Sequence, residues 1–238
     1  MIDNILSELT ERLTLNDGIG AICVKGDSFD CSIHFSGHPY AINWSDCGGS
    51  VAQYLARVGT RNTGVDLAQA RHAVANGFDD SLPMSSQLRP LLQLFCAGEY
   101  LITRRSLESW YYTDDYTESF VHYYPFDGDV LVPTRSTSDL DPSTVDGYVK
   151  SIENGRRPIV VLASVERSWC QFVVDGHHKL EAYNRTSVMP HVLDVHGRGS
   201  RMTQEEGEAI LRGAEHSSAL EIYRTVKAKY DGEPPETR

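Results

Sequence analysis

An α+β fold is predicted for this 238-residue chain from two contrasting patterns. In the first 125 residues, short β-forming and aromatic-rich runs are punctuated by Gly, Asp and Ser, as in antiparallel hairpins, with helical segments between them. From Val130 onward, apolar runs alternate with segments of helical period, as in an α/β unit. The soft boundary near residue 126 gives an N-terminal α+β region of unknown role (1–125) and an α/β domain (126–200). A C-terminal helical pair (201–230) and a disordered tail (231–238, "DGEPPETR") follow.

Each element has a local reason. "IDNILSELTERLTL" carries apolar residues at helical spacing, which predicts an opening helix over 2–14. "GAICVKG", "FDCSIHF" and "PYAINW" predict a small antiparallel meander. "GSVAQYLARVG" and "VDLAQARHAVANG" predict helices, each closed by a C′ glycine. "SSQLRPLLQLFCAG" predicts another, started or kinked by Pro90. "EYLITRRSLESWYYTDD" and "ESFVHYYPFDGDVLVP" predict strands, because Tyr suits half-buried sheet positions. Beyond them come strand "DVLVP", a helix from Pro142 stopped by Gly155, strands "PIVVLASV" and "WCQFVVD", helix "GHHKLEAYNRT" and strand "PHVLDVHG". Two helices close the chain, the first opened by a Thr203–Glu206 capping box.

Composition narrows the function. The net charge is −11, from 33 acids against 22 Lys and Arg. That argues against nucleic acid, whose nonspecific binding needs clustered cations. No apolar run is long enough to span a membrane. The acidic, amphipathic start is unlike a signal peptide, so a cytoplasmic protein is expected. The five cysteines are odd in number and have no C-x-x-C spacing, so neither a disulfide framework nor a zinc knuckle is expected. Arg104-Arg105 and Arg156-Arg157 read as solvated faces.

The stretch that carries chemistry is "VVDGHHKLEAYNR". Gly176 stands where a strand hands over to a helix and permits close approach by a ligand. The N–H groups of His177, His178 and Lys179 are then free donors at the positive end of a helix dipole, an anion site. Lys179 adds charge and both imidazoles can donate. A blander alternative makes Asp175 only the N-cap. A metal alternative would draw on His191 and His196, although adjacent histidines diverge on a helix.

These elements, over about residues 130–196, resemble the ParB/sulfiredoxin-like superfamily. The likeness lies in "DPSTVDGYVKSIENGRRPIVVL", "WCQFVVDGHHKLEAYNR" and "PHVLDV". It implies a ParB/sulfiredoxin-like domain whose box, Gly176, His177, His178 and Lys179, binds nucleotide phosphates. His177 replaces the sulfiredoxin cysteine, which removes that activity. The 40 or so residues after His196 are too short and acidic for the helix-turn-helix domain of ParB. Asp175, Gly176 and His177 match the Asp-Gly-His box of the free-serine kinases of this fold. These also use an early acidic base, for which Asp139 or Asp141 is placed. Lys179 replaces the usual Arg, keeping the charge but losing the bidentate fork.

The resemblance therefore implies a nucleotide-dependent phosphotransferase or nucleotide hydrolase using ATP or ADP with Mg²⁺. Asp175, His177, His178 and Asp139 are its candidate catalytic residues. Arg135 is an added phosphate ligand and Asp175 the metal ligand. The acceptor would be a small molecule or a protein. One alternative is a non-catalytic nucleotide-binding module acting through a protein partner. Another is a thiol hydrolase using Cys47, with His34, His38 or His122 as its base. Residues 1–125 are left three roles: substrate specificity, homodimerisation, or covering the nucleotide.

Overall fold

In the computed structural model, residues 8–46, 52–59, 81–112, 119–125, 128–199 and 201–229 are described. Strands β1 (Leu9–Ile19), β2 (Ile22–Gly26), β3 (Asp30–Phe35), β4 (His38–Asp46) and β5 (Ala52–Arg57) come first. Short helices α1 (Met84–Gln87) and α2 (Arg89–Leu92) lead to β6 (Cys96–Ser106), β7 (Trp110–Tyr112), β8 (Phe120–Tyr123) and β9 (Asp129–Pro133). A 3-10 turn (Thr137–Asp139) then precedes α3 (Pro142–Glu153), β10 (Val160–Val165), β11 (Cys170–Asp175), α4 (His177–Thr186) and β12 (His191–Gly197). Helices α5 (Gln204–Leu211) and α6 (Ala219–Ala228) close the described chain.

The described strands form two sheets. The larger has the order β1-β6-β12-β10-β11-β9-β7, and the smaller, fully antiparallel one has β2-β3-β4-β5-β8. In the larger sheet β10/β12, β9/β11 and β7/β9 are parallel. Strands β1, β6 and β7 thus complete, from the first half of the chain, a sheet built by β9 to β12 from the second.

Alternation along each strand sorts the side chains into layers. On β10, Val161, Ala163 and Val165 face the smaller sheet, against Ile33 and Phe35, while Val160 and Leu162 pack with Leu180 and Tyr183 of α4. On the smaller sheet, Ala41 and Leu55 face inward, and Ile42, Trp44 and Ala56 face Ile210, Tyr223 and Val226 of the last two helices. The result is a helix–sheet–sheet–helix stack. Tyr223 donates a hydrogen bond to buried Asp30 on β3 (3.2 Å), which also pairs with Lys227, so α6 is pinned by a polar staple as well as by apolar burial. Gly207 leaves the space the Tyr223 ring needs: a Cβ there would lie 2.1 Å from its hydroxyl.

The predicted strands β2 to β4 and β6 to β12 are present, as are α3 to α6. The Thr203–Glu206 capping box is complete, and Asp141 caps α3 with Pro142 in its first turn. Three expectations are overturned. The opening helix over 2–14 is strand β1 where it is described: Leu9 to Leu15 pair with Arg104 to Gly98 of β6. "GSVAQYLARVG" is not a helix, because Ala52–Arg57 form β5. Gln53 there donates to Ser45 (2.8 Å) and accepts from Asn43 (2.9 Å), and Tyr123 donates to Asn43 (2.6 Å). This buried cross-strand ladder outweighs the helical preference of Ala, Leu and Arg. The helix around Pro90 is two single turns, because Pro90 sits in the first turn of α2, and β6 takes over at Cys96.

The cysteine expectation is corrected too. Cys23 on β2 and Cys96 at the start of β6 are disulfide-bonded, 73 residues apart in sequence, and tie the two sheets together. Cys31 and Cys170 are buried thiols. The helix expected in "VDLAQARHAVANG", Cys47 and the tail 231–238 lie outside the described residues.

Candidate functional site

Strand β11 ends at Asp175, and Gly176 turns the chain with φ 111°, a left-handed conformation. The turn is tight as well as left-handed: a Cβ on Gly176 would sit 3.1 Å from Val160. Helix α4 begins at once, and its N-cap, Gly176, has no side chain with which to cap the first turn. The turn therefore carries the positive end of the α4 dipole. Asp175 is not the N-cap; Gly176 is.

The box side chains point in three directions. Lys179 turns inward, where Nζ donates to Ile159 O (2.7 Å) and to Asp175 Oδ2 (2.8 Å), with both side chains about 90% buried. The ammonium expected to meet a phosphate thus neutralises the carboxylate beneath the turn. His177 is buried, and its Nε2 accepts from the N–H of Thr134 (3.1 Å). His178 Nε2 accepts from the N–H of Asp141 (3.1 Å). An imidazole accepting at Nε2 carries its proton on Nδ1, so both rings are neutral Nδ1–H donors in this arrangement.

The two histidines thereby pin both ends of the loop 134–141 across the start of α4. Thr134 is further fixed by its hydroxyl donating to Val173 O (2.5 Å). Within the loop, Arg135 donates to the carbonyl of Asp139 (2.8 Å), and both residues are exposed. Asp141 caps α3, accepting from the N–H of Thr144 (2.9 Å) and the hydroxyl of Ser143 (2.7 Å). These bonds, with Thr144 foremost, hold its carboxyl down at about 2. A carboxylate so committed is a cap rather than a proton acceptor. Of the two acids proposed as a base, Asp139 is thus the uncommitted one.

Asp175, Gly176, His177, His178, Lys179, Arg135 and Asp139 are therefore gathered in one place. His191 and His196 are not, for they stand at the two ends of β12. Among the described residues, no three His, Cys, Asp or Glu side chains are grouped to hold a metal ion.

A second polar cluster was not expected. Arg105, read from sequence as a solvated cation, donates Nε to Asp194 (2.6 Å), Nη1 to Asp129 Oδ2 (2.9 Å) and Nη2 to Asp129 Oδ1 (2.6 Å). Its neighbour Arg104 is buried. Asp194 is 1% exposed. Burial pushes its carboxyl up, partly offset by Arg105, and burial pushes the His196 imidazole down. A signal was present in "HVLDVHG": Asp194 and His196 alternate with apolar residues on a strand inside a sheet, where an ionisable pair needs a reason.

No family model matches the chain, and neither a curated protein nor a solved structure matches it.

Proposed function

We propose that this chain binds a nucleotide through its phosphates at the turn between β11 and α4, in a ParB/sulfiredoxin-like domain formed by β9 to β12 with α3 and α4, and acts as a phosphotransferase or nucleotide hydrolase. One observation carries the proposal. A left-handed glycine N-cap delivers the positive end of a helix beneath a loop that two histidines hold in place. Backbone N–H groups of α4 take the phosphates. Arg135, exposed on the loop, supplies the positive charge that Lys179 does not. Lys179 keeps Asp175 neutralised and β10 in register with the turn. Mg²⁺ arrives on the nucleotide, since Asp175 is already occupied by Lys179; Asp139 is the exposed carboxylate on the loop that does not cap a helix. ATP or ADP is the nucleotide, and a small molecule or protein is the acceptor.

A second possibility is binding without turnover, with the loop as a surface for a protein partner. It is favoured by the Asp175–Lys179 pair, which removes the box's own carboxylate from proton transfer. No described helix is long and apolar enough to cross a membrane.

The test is thermal shift with ATP, ADP and CTP plus Mg²⁺, followed by turnover of any nucleotide that binds. Arg135→Ala is the informative variant, because Lys179→Ala would strand a buried carboxylate and unsettle the fold. At least one nucleotide raises Tm and Arg135→Ala weakens the effect about tenfold, as expected for a charge-assisted bond. If no nucleotide shifts Tm, both possibilities fall. Binding with no turnover in wild type selects the second.

A further inference from the structure

Cys31 on β3 and Cys170 at the head of β11 belong to different sheets, yet they lie in one core cluster and are 1% and 0% exposed. Ser164 of β10 connects them. Its Oγ stands 3.7 Å from Cys31 Sγ and donates to the carbonyl of Cys170 (2.6 Å), so its one proton is already used. Cys170 Sγ in turn lies 3.7 Å from Ser168 Oγ. The thiols also meet each other: the hydrogen bond between them is foremost in holding the Cys31 thiol down and in pushing the Cys170 thiol up.

A thiol is a weak donor and a weak acceptor, so hydrogen bonding alone gives little reason for sulfur at both positions. Neighbouring sulfurs do meet the first requirement of a covalent bond, which forms between cysteines that the fold already holds together. The same interface carries one such bond, Cys23–Cys96, which ties β2 to β6. A bond between Cys31 and Cys170 ties a different pair of strands, β3 and β11.

We propose that Cys31 and Cys170 are a dithiol that closes to a second inter-sheet disulfide when the chain folds in the presence of a small-molecule disulfide. One cysteine thiolate attacks R–S–S–R, forming a mixed disulfide and releasing the first R–SH. The other cysteine attacks the mixed disulfide and releases the second. Both thiol protons end on the released thiols, so two Cys–SH and one R–S–S–R give one Cys–S–S–Cys and two R–SH. Exchange takes place while the sheets are still apart, because neither sulfur is accessible in the folded core. After closure the same burial shields the bond from reductant. The bond fastens β11, the strand that ends at Asp175 ahead of the Gly176 turn, to the smaller sheet, and it forms whether or not that turn binds a nucleotide.

The test is refolding of the reduced full chain in buffer containing oxidised and reduced glutathione. Free thiols are then alkylated with iodoacetamide in denaturant, and unreduced proteolytic fragments are mapped by mass. Of the five cysteines, only Cys47 should be alkylated, with Cys31 joined to Cys170 and Cys23 to Cys96. Alkylation of both Cys31 and Cys170 overturns the proposal, and so does a bond from either to Cys47. A parallel sample is oxidised while kept in denaturant. The Cys31–Cys170 fragment should be several-fold scarcer there; equal yields overturn the proposal, because chance rather than the fold then pairs the sulfurs. Should the reduced chain not refold, the same map of protein made in an oxidising compartment decides between the bond and two free thiols.

Discussion

Arg105 on β6 grips Asp129 on β9 through two parallel hydrogen bonds, although four strand steps separate the two strands in the sheet. At about 4.8 Å per step a flat sheet would hold them roughly 19 Å apart. The larger sheet is therefore curled, and the guanidinium closes its concave face while also holding Asp194 of β12. Gln171 of β11 adds a bond to Asp129 (3.0 Å), so four strands meet at this cluster.

Removing that bridge leaves two carboxylates facing each other at low solvent access. Arg105→Ala is expected to cost about 3 kcal/mol of stability, the low end for breaking a buried pair because the side chain is 22% exposed. Arg105→Lys recovers only part, since an ammonium lacks the fork. Urea unfolding of the three proteins measures this; a loss below about 1 kcal/mol for the alanine variant would show the curl to be held by apolar packing alone.

Gly176 tolerates no side chain. Its φ of 111° is strained for any L-residue, and a Cβ would crowd Val160. Gly176→Ala is expected to lose about 1–3 kcal/mol. Nucleotide-induced stabilisation should fall with it, because the turn that aims the α4 donors must shift. Thermal unfolding with and without nucleotide reads both effects.

Acid should destabilise the fold in part through His34. Buried on β3, it has its imidazole pushed down to about 4 by desolvation, with Lys25 adding to the effect. The unfolded chain therefore takes up a proton at 6.5 that the folded one refuses until about 4. The contribution is complete above pH 6.5 and is lost as pH falls towards 4. At pH 5 it amounts to about 1–2 kcal/mol. Comparing wild type with His34→Gln at pH 7 and pH 5 isolates it: the variant should lose less on acidification.

The Cys23–Cys96 bond closes a loop of 73 residues. Chain entropy assigns such a loop about 4 kcal/mol. Dithiothreitol should lower the unfolding midpoint and make two further thiols titratable in the denatured protein. The intact mass of protein recovered from a reducing and from an oxidising compartment shows which form each one supports.

Sequence reasoning worked where structure is set locally. From "DVLVP" to "PHVLDVHG", apolar runs, Pro142, Gly155 and Gly176 mark every boundary within a few residues, and the box residues stand where the strand–turn–helix pattern places them. It failed where distant partners decide. Leu9–Ile19 has a helix-like apolar spacing, yet β6 offers it a complete ladder of backbone bonds. Ala52–Arg57 has helix-forming residues, but Gln53 completes a polar ladder with Asn43 and Ser45.

By itself, then, the sequence determined the α/β elements after residue 126 and the position of the candidate turn, because glycine, proline and periodicity act within a few residues. Only the tertiary structure decided that β1 and β5 are strands, that Cys23 meets Cys96, that Lys179 turns inward to Asp175, and that Arg105 bridges Asp129 and Asp194. Each of these joins groups to partners supplied by the folded sheets, and desolvation there makes an unpaired charge or backbone group too costly to leave alone.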